Sequence, residues 1–403
     1  MIKASLKKFI KKDNIIYIVF IIYLIAVHLD NTVLRYNNFI KYLDKYIRYI
    51  CYVFFTIKII IDLKKEKKIS WIMIIGIIIS LLTLLCSKNT GLLLLILILF
   101  ALKDANHDKI IKITFYTNVI MFVCIIGVSV IGILPDWTYS RIDATIRHSM
   151  GYYYPTIIST YFFFIVIMRL YIKKDKISII ELLFQTMCTI FLYKLTDSRT
   201  GMLLTIIVII SALVIKILKK IDKKIYLNNI IKKNIKYLCV SLPIILMLLI
   251  ILMIILFNNN NSFVLKVNDA LSGRIFYASE AIKNNNITLF GEKIKWFGWG
   301  GYGYIEIENF EYNFVDIAFI KILFDYGIVT LVALIITYSY TLNKAINEKK
   351  YYNVYVLVLI LIWALIEPNI LEMDKNIFIL FLSNIFNTKF IKNFKYSSLT
   401  RKQ

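Results

Sequence analysis

The sequence predicts an all-α polytopic membrane protein, and three observations predict it. Its 403 residues are 59% hydrophobic, with a mean hydropathy of +0.72, which is too apolar for a soluble chain of this length. The apolar residues come in blocks of roughly bilayer thickness rather than at amphipathic spacing. Lysines and arginines collect in the connections between the blocks, unequally on the two sides. The alternating pattern of a transmembrane β-barrel is absent. A backbone in lipid must satisfy its own hydrogen bonds, so helices are the expected spans. The organisation predicted is one integral membrane domain over 1–403 with about twelve transmembrane helices.

Those spans are 14–29, 46–62, 69–86, 90–102, 113–134, 154–172, 178–195, 201–217, 237–257, 314–341, 352–367 and 376–388. The stretch before the first is basic but leads into no small-residue cleavage site, so the first apolar run reads as a span rather than a signal peptide. With the N-terminus inside, the inner connections hold 32 lysines and arginines and the outer ones 15, although the outer ones cover more residues. Both termini are therefore expected to be cytoplasmic. Runs 90–102 and 376–388 are short, and also suit re-entrant or tilted segments. The net charge of +24 is read as topology, not as nucleic-acid binding. Five cysteines lie in or beside separate apolar runs with no C-x-x-C pair, which indicates neither a metal site nor a disulfide framework.

Two outer connections stand out. One runs from Pro135 to Tyr154. The other, 258–313, is the largest extracytoplasmic loop, between spans nine and ten. It opens on Asn258 to Asn261 and continues as an amphipathic stretch from Val264 to Ile282. It then passes into the glycine-rich, aromatic run from Trp296 to Tyr304. A small helical cap is expected, with a loop whose backbone can approach a ligand closely. The rings of Trp299 and Tyr302 suit either a membrane interface or the apolar face of a sugar. No internal repeat and no inverted pair of interrupted helices is evident.

The residues that could carry chemistry lie at outer span ends. Asp197-Ser198-Arg199-Thr200-Gly201 separates two long apolar runs, on the side where the positive-inside rule disfavours basic residues. Arg147-His148-Ser149-Met150-Gly151-Tyr152-Tyr153-Tyr154-Pro155-Thr156 leads into the sixth span. The large loop holds Leu271-Ser272-Gly273-Arg274 and Leu289-Phe290-Gly291, and Phe314-Val315-Asp316 opens the tenth span. Three segments thus each offer an arginine to a diphosphate or another polyanion, because guanidinium binds phosphate bidentately and keeps its charge. Asp316 and His148, if they point inward, supply a general base and a polar partner. Each residue also has a plain structural reading. Arg199 can cap its helix and snorkel to headgroups, and Arg274 and Glu280 can be solvated faces of a surface helix. His148 can be a surface loop residue, Asp316 can complement a helix dipole, and the tyrosines from 152 to 154 can form an interfacial belt.

Taken together, these motifs resemble Wzy-type oligosaccharide repeat-unit polymerases of the O-antigen ligase and polymerase superfamily. The matching pieces are Arg147 to Thr156, Ser198-Arg199-Thr200-Gly201, Ser272-Gly273-Arg274, and the series Leu289-Phe290-Gly291, Val315-Asp316 and Tyr326-Gly327-Ile328. The resemblance implies a metal-independent, GT-C-like glycosyltransferase without cofactor, on the outer face of a bacterial cytoplasmic membrane. Its substrates would be two undecaprenyl-diphosphate-linked oligosaccharides, the growing chain as donor and one repeat unit as acceptor. The product would be a capsular, exo- or O-antigen polysaccharide. Arg199 and Arg274 would hold diphosphate oxygens and stabilise the leaving group, with Asp316 as candidate base. Arg147, His148, Tyr154, Ser198, Trp299 and Tyr302 would contact substrate. A flippase and a chain-length regulator of the same pathway are the implied protein partners. O-antigen ligases carry a histidine near the start of the span after the long loop, where this chain has Tyr312-Asn313-Phe314-Val315-Asp316. No P-loop, Gly-x-Gly-x-x-Gly or metal-binding carboxylate pair for a nucleotide sugar is present. A flippase for the same lipid-linked unit, or a ligase-type glycan transferase, is the alternative.

Overall fold

The computed structural model describes residues 12–66, 70–140, 145–221, 229–298 and 312–386. Helices dominate it: α1 (Lys12–Asp30), α2 (Asn38–Glu66), α3 (Trp71–Ser87), α4 (Gly91–Leu102), α5 (His107–Val130), α6 (Pro155–Lys173), α7 (Ile179–Thr196), α8 (Arg199–Ile221), α9 (Asn229–Asn258), α10 (Ser262–Ala270), α11 (Arg274–Asn284), α12 (Ala318–Asn347) and α13 (Tyr351–Trp363). Six of them, α5 to α9 and α12, are long and apolar enough to cross a membrane; α1, α3, α4 and α13 are shorter apolar helices. The only sheet among the described residues is a hairpin of β1 (Thr138–Ser140) and β2 (Ile146–His148).

Lipid-facing and core-facing helices are easily told apart. On α7, for example, Ile180, Leu183, Phe184, Met187 and Phe191 are exposed, whereas Leu182, Gln185, Thr189 and Leu192 face inward. A broad apolar face turned outward is what lipid, rather than water, tolerates. Helix α6 is the hub. It packs on α5, α7, α8 and α13, and its Phe163 stacks on Trp363 with ring centroids 3.9 Å apart.

Contacts at the helix ends fix an alternating up-and-down path. At one end, the site end, Thr32 bridges Tyr152, Ser159 meets Ser198 at 2.7 Å and Ser279 donates to Asn258 at 2.7 Å. At the other, the basic end, the Tyr171 hydroxyl donates to Asp108 at 2.8 Å and Lys236 to Asn347 at 2.8 Å.

Three local expectations are corrected. The stretch 376–388 is not an α-helix in its described part: Ile377–Phe386 forms a 3-10 helix in the core. The amphipathic run from Val264 to Ile282 is two short helices, because Ser272 and Gly273 both take positive φ (57° and 81°) and turn the chain between them. And α12 is interrupted. Gly327, at φ 85° and ψ 172°, breaks it after Tyr326.

That break brings two of the sequence motifs together. The Leu289-Phe290-Gly291 backbone runs against the gap and takes up its orphaned groups: Glu292 N–H donates to Phe324 C=O at 2.9 Å, and Ile328 and Val329 N–H donate to Thr288 and Leu289 C=O at 3.0 and 3.1 Å. Unwound backbone within an apolar helix persists only where protein satisfies it. The approach is so close that a Cβ on Gly327 would lie 2.3 Å from the Leu289 carbonyl oxygen, and one on Gly291 2.6 Å from that of Asp325. The indole N–H of Trp296 donates to Asp325 at 2.6 Å and pins the loop beyond the break.

Candidate functional site

The motif segments meet at the site end around one guanidinium. Arg274 opens α11, directly after the Ser272-Gly273 turn. Its Nη2 donates to Glu367 Oε1 at 2.8 Å and to Thr200 Oγ1 at 3.3 Å. Its Nη1 donates to the Leu271 carbonyl at 3.1 Å. Its Nε lies 3.6 Å from Asp316 Oδ2, an ion pair too long to be a hydrogen bond. The Thr200 hydroxyl in turn donates to Glu367 Oε1 at 2.9 Å. Four elements therefore converge: the start of α8, the start of α11, the residues before α12 and those after α13. Asp316 and Glu367 belong to the connections, not to the helices, so the cluster lies at the bundle's end.

Burial sets the electrostatics. Glu367 is buried, and loss of water pushes its carboxyl up to about 6 against the opposing pull of Arg274. Burial also raises Asp316 above the usual carboxylate range, with Arg274 and Lys321 holding it down. The Asp316 side chain keeps 24% of its surface exposed, against 7% for Glu367. Tyr312, whose ring lies 4.4 Å from that of Tyr277, is raised by burial and by Asp316.

Arg147 holds a second buried cation beside this cluster. From β2 its Nε donates to the Thr196 carbonyl at 2.8 Å, and its Nη1 to the Tyr154 hydroxyl at 3.3 Å. Nη2 is buried with no hydrogen-bond partner. Among the described residues no carboxylate lies within ion-pair distance of Arg147. The Arg147 guanidinium also lies over the Tyr154 ring, 5.4 Å from its centroid.

The other predicted residues take different positions. Arg199 starts α8 half-exposed, with Nε 3.6 Å from Asp197; it is the neighbouring Thr200 that enters the cluster. Ser198 is buried against Ser159, and Gly201 permits that contact because a Cβ there would lie 2.6 Å from Ser159. His148 follows Arg147 on β2 and so points to the opposite face of the strand. There its Nδ1 meets Asp136 at 2.6 Å, while the other Asp136 oxygen accepts from the Ser149 and Met150 N–H groups at 2.9 and 2.7 Å. Trp299 and Tyr302 lie outside the described residues.

Sequence reasoning missed Glu367, Thr200 and Asp136. The signal for Glu367 was legible: a carboxylate followed by Pro368 at the end of an apolar run needs a partner. A second buried network lies nearby. Asp374 accepts from Tyr161 at 2.7 Å, Lys375 pairs with Glu372 and with Asp374, and His28 stacks on Tyr161 at 4.0 Å.

Compared with known proteins, the chain matches no family model, no curated protein and no solved structure.

Proposed function

We propose that the protein polymerises undecaprenyl-diphosphate-linked oligosaccharide repeat units, as a metal-independent glycosyltransferase of GT-C-like architecture. In this reading the twelve apolar blocks span a bacterial cytoplasmic membrane with both termini inside, and the site end faces outward. The observation that carries it is convergence. Segments far apart in sequence, nominated by a resemblance of motifs, supply Thr200, Arg274 and Asp316 to one polar cluster at the end of an apolar bundle, with Arg147 and Tyr154 hydrogen-bonded to each other beside it. A lipid-anchored diphosphate presents its charge at that depth, and a donor already activated by diphosphate needs no nucleotide.

Arg199 starts a helix at this level, where dipole and guanidinium both favour phosphate, and Arg147 adds a buried cation. The acceptor hydroxyl must lose a proton, and Asp316 is the less buried of the cluster's two carboxylates. A flippase is the second reading, favoured by the interrupted α12 and by the charges buried around Asp374, since transporters use broken helices and buried ion pairs.

The length profile of lipid-linked glycan in cells lacking the gene decides between them. Single repeat units exposed outside, extended again by wild type but not by Arg274→Ala, support polymerisation. Single units retained inside identify a flippase; long lipid-linked chains left unattached identify a ligase.

A further inference from the structure

Arg274 and Arg147 are both buried arginines, yet they face different chemistry. Arg274 already has two carboxylates on it, Glu367 at 2.8 Å and Asp316 at 3.6 Å. With both ionised that trio is net negative, and a diphosphate brought to Arg274 would be repelled by both acids. Arg147 is opposite in character. Its partners are a carbonyl and a phenol. Each arginine keeps one buried N–H without a hydrogen bond, Nη2 on Arg147 and Nε on Arg274, but only on Arg274 does a carboxylate stand near it. A buried cation with a spare donor is stabilised by an anion.

The two acids also differ from each other. Glu367 Oε1 is committed to two donors, Arg274 and Thr200. Asp316 is three times more exposed, and no hydrogen bond ties it to Arg274. The guanidinium that Asp316 faces is held by Glu367, Thr200 and the Leu271 carbonyl, so it cannot swing away. Resting on the polymerase reading, the geometry points to a division of labour: Arg147 meets the lipid diphosphate, Asp316 takes the acceptor's proton, and Glu367 is a positioning residue that fixes Arg274 behind Asp316.

In the step, the Asp316 carboxylate accepts the proton of the acceptor hydroxyl while the hydroxyl oxygen bonds to the anomeric carbon of the donor glycan. The bond from that carbon to the diphosphate oxygen breaks, and its electron pair leaves on the diphosphate, where Arg147 compensates the charge. The proton on Asp316 then passes to water. His148 does not compete for the base role, because it points from the other face of β2 and is bound to Asp136.

The groups that face Asp316 are Arg274 and Tyr277 from α11, Lys321 from α12, and Tyr312 and Glu367 from the connections. Burial has already moved Asp316 towards the range a base requires at neutral pH. Replacing Glu367 by a neutral residue removes a negative charge from the far side of Arg274. Arg274 then serves Asp316 alone, and Asp316 ionises at lower pH.

The test uses the full chain in nanodiscs with two probes: undecaprenyl diphosphate for binding, and lipid-linked repeat units extracted from gene-deleted cells for extension. Arg147→Ala is expected to weaken undecaprenyl diphosphate binding by about tenfold or more. Glu367→Gln and Asp316→Asn keep wild-type binding or bind tighter, but extend at least about 100-fold more slowly. The acid limb of kcat moves to lower pH in Glu367→Gln, and Glu367→Asp recovers part of the rate. Where Glu367→Gln does not fold, Thr200→Val removes the other donor to Oε1, and a lowered kcat with unchanged binding is expected. Loss of undecaprenyl diphosphate binding in Glu367→Gln or Thr200→Val as large as in Arg147→Ala overturns the division, as does an unmoved acid limb. A wild-type protein that neither binds the first probe nor extends the second overturns the polymerase reading itself.

Discussion

The two ends of the bundle treat charge in opposite ways. The basic end has more of it, yet much is solvated: Lys350 and Glu348 form a 2.7 Å pair with side chains 59% and 40% exposed. The site end has fewer basic residues and buries several of them, although Arg199 keeps 45% of its side chain exposed. Arg147, Arg274 and Lys375 are each under 9% exposed, as are Glu367 and Asp374. Exposed pairs contribute about 0–1 kcal/mol, whereas each buried ion loses several kcal/mol of hydration that only well-placed partners offset. Burial with several partners, rather than the number of charges, is therefore what singles out the candidate site.

The comparison breaks most sharply at Arg274. Arg274→Ala leaves Glu367 buried without its cation, so it is expected to abolish chain extension and to destabilise the fold by about 3–5 kcal/mol. Thermal unfolding in detergent, beside the extension assay, checks both. Full activity would remove Arg274 from any mechanism. Next in size is the interrupted helix. Gly327→Ala places a Cβ 2.3 Å from the Leu289 carbonyl oxygen at a φ that side chains avoid, and is expected to cost about 1–3 kcal/mol. A melting temperature equal to wild type would mean that the loop and the break are not coupled.

A smaller effect separates the ends by pH. Glu367 in the folded protein titrates at about 6, above its ordinary 4.5. The folded state therefore holds the proton more tightly. Its contribution to stability is complete below about 4.5 and lost as pH rises through about 6. A Glu367→Gln protein should lack that part of the decline, which amounts to about 1–2 kcal/mol. Melting temperatures from pH 4 to 8 read it directly, and parallel curves for the two proteins would contradict it. Smallest of all is Lys350→Ala at the basic end, with stability within about 0.5 kcal/mol of wild type and unchanged extension. A strong loss there would mean that the working end has been misidentified.

Much of this was legible in the sequence, for physical reasons that also explain the rest. Each apolar block overlaps a helical element among the described residues, and six of those helices are long and apolar enough to cross a membrane. Asp316 stood out at the start of an apolar run and Arg274 in the Ser272-Gly273-Arg274 motif of the large loop, and the two face each other in one cluster. What local pattern could not supply was partnership. Nothing in the sequence pairs Thr200 with Glu367, 167 residues apart, or sends the Leu289-Phe290-Gly291 backbone into the break at Gly327. The same limit applies to Arg199, nominated as the motif's arginine, while its neighbour Thr200 turns inward. His148 was paired with the site by proximity in sequence, but strand alternation turns it the other way.

The central claim is that this chain joins repeat units at its buried, site-end cluster. It is tested most directly by reconstituting the purified protein in liposomes with lipid-linked repeat units from gene-deleted cells and reading products by mass spectrometry. The account predicts a ladder of multiples of one repeat unit, formed without nucleotide and absent with Arg274→Ala. Repeat units that cross the bilayer but never lengthen would contradict it.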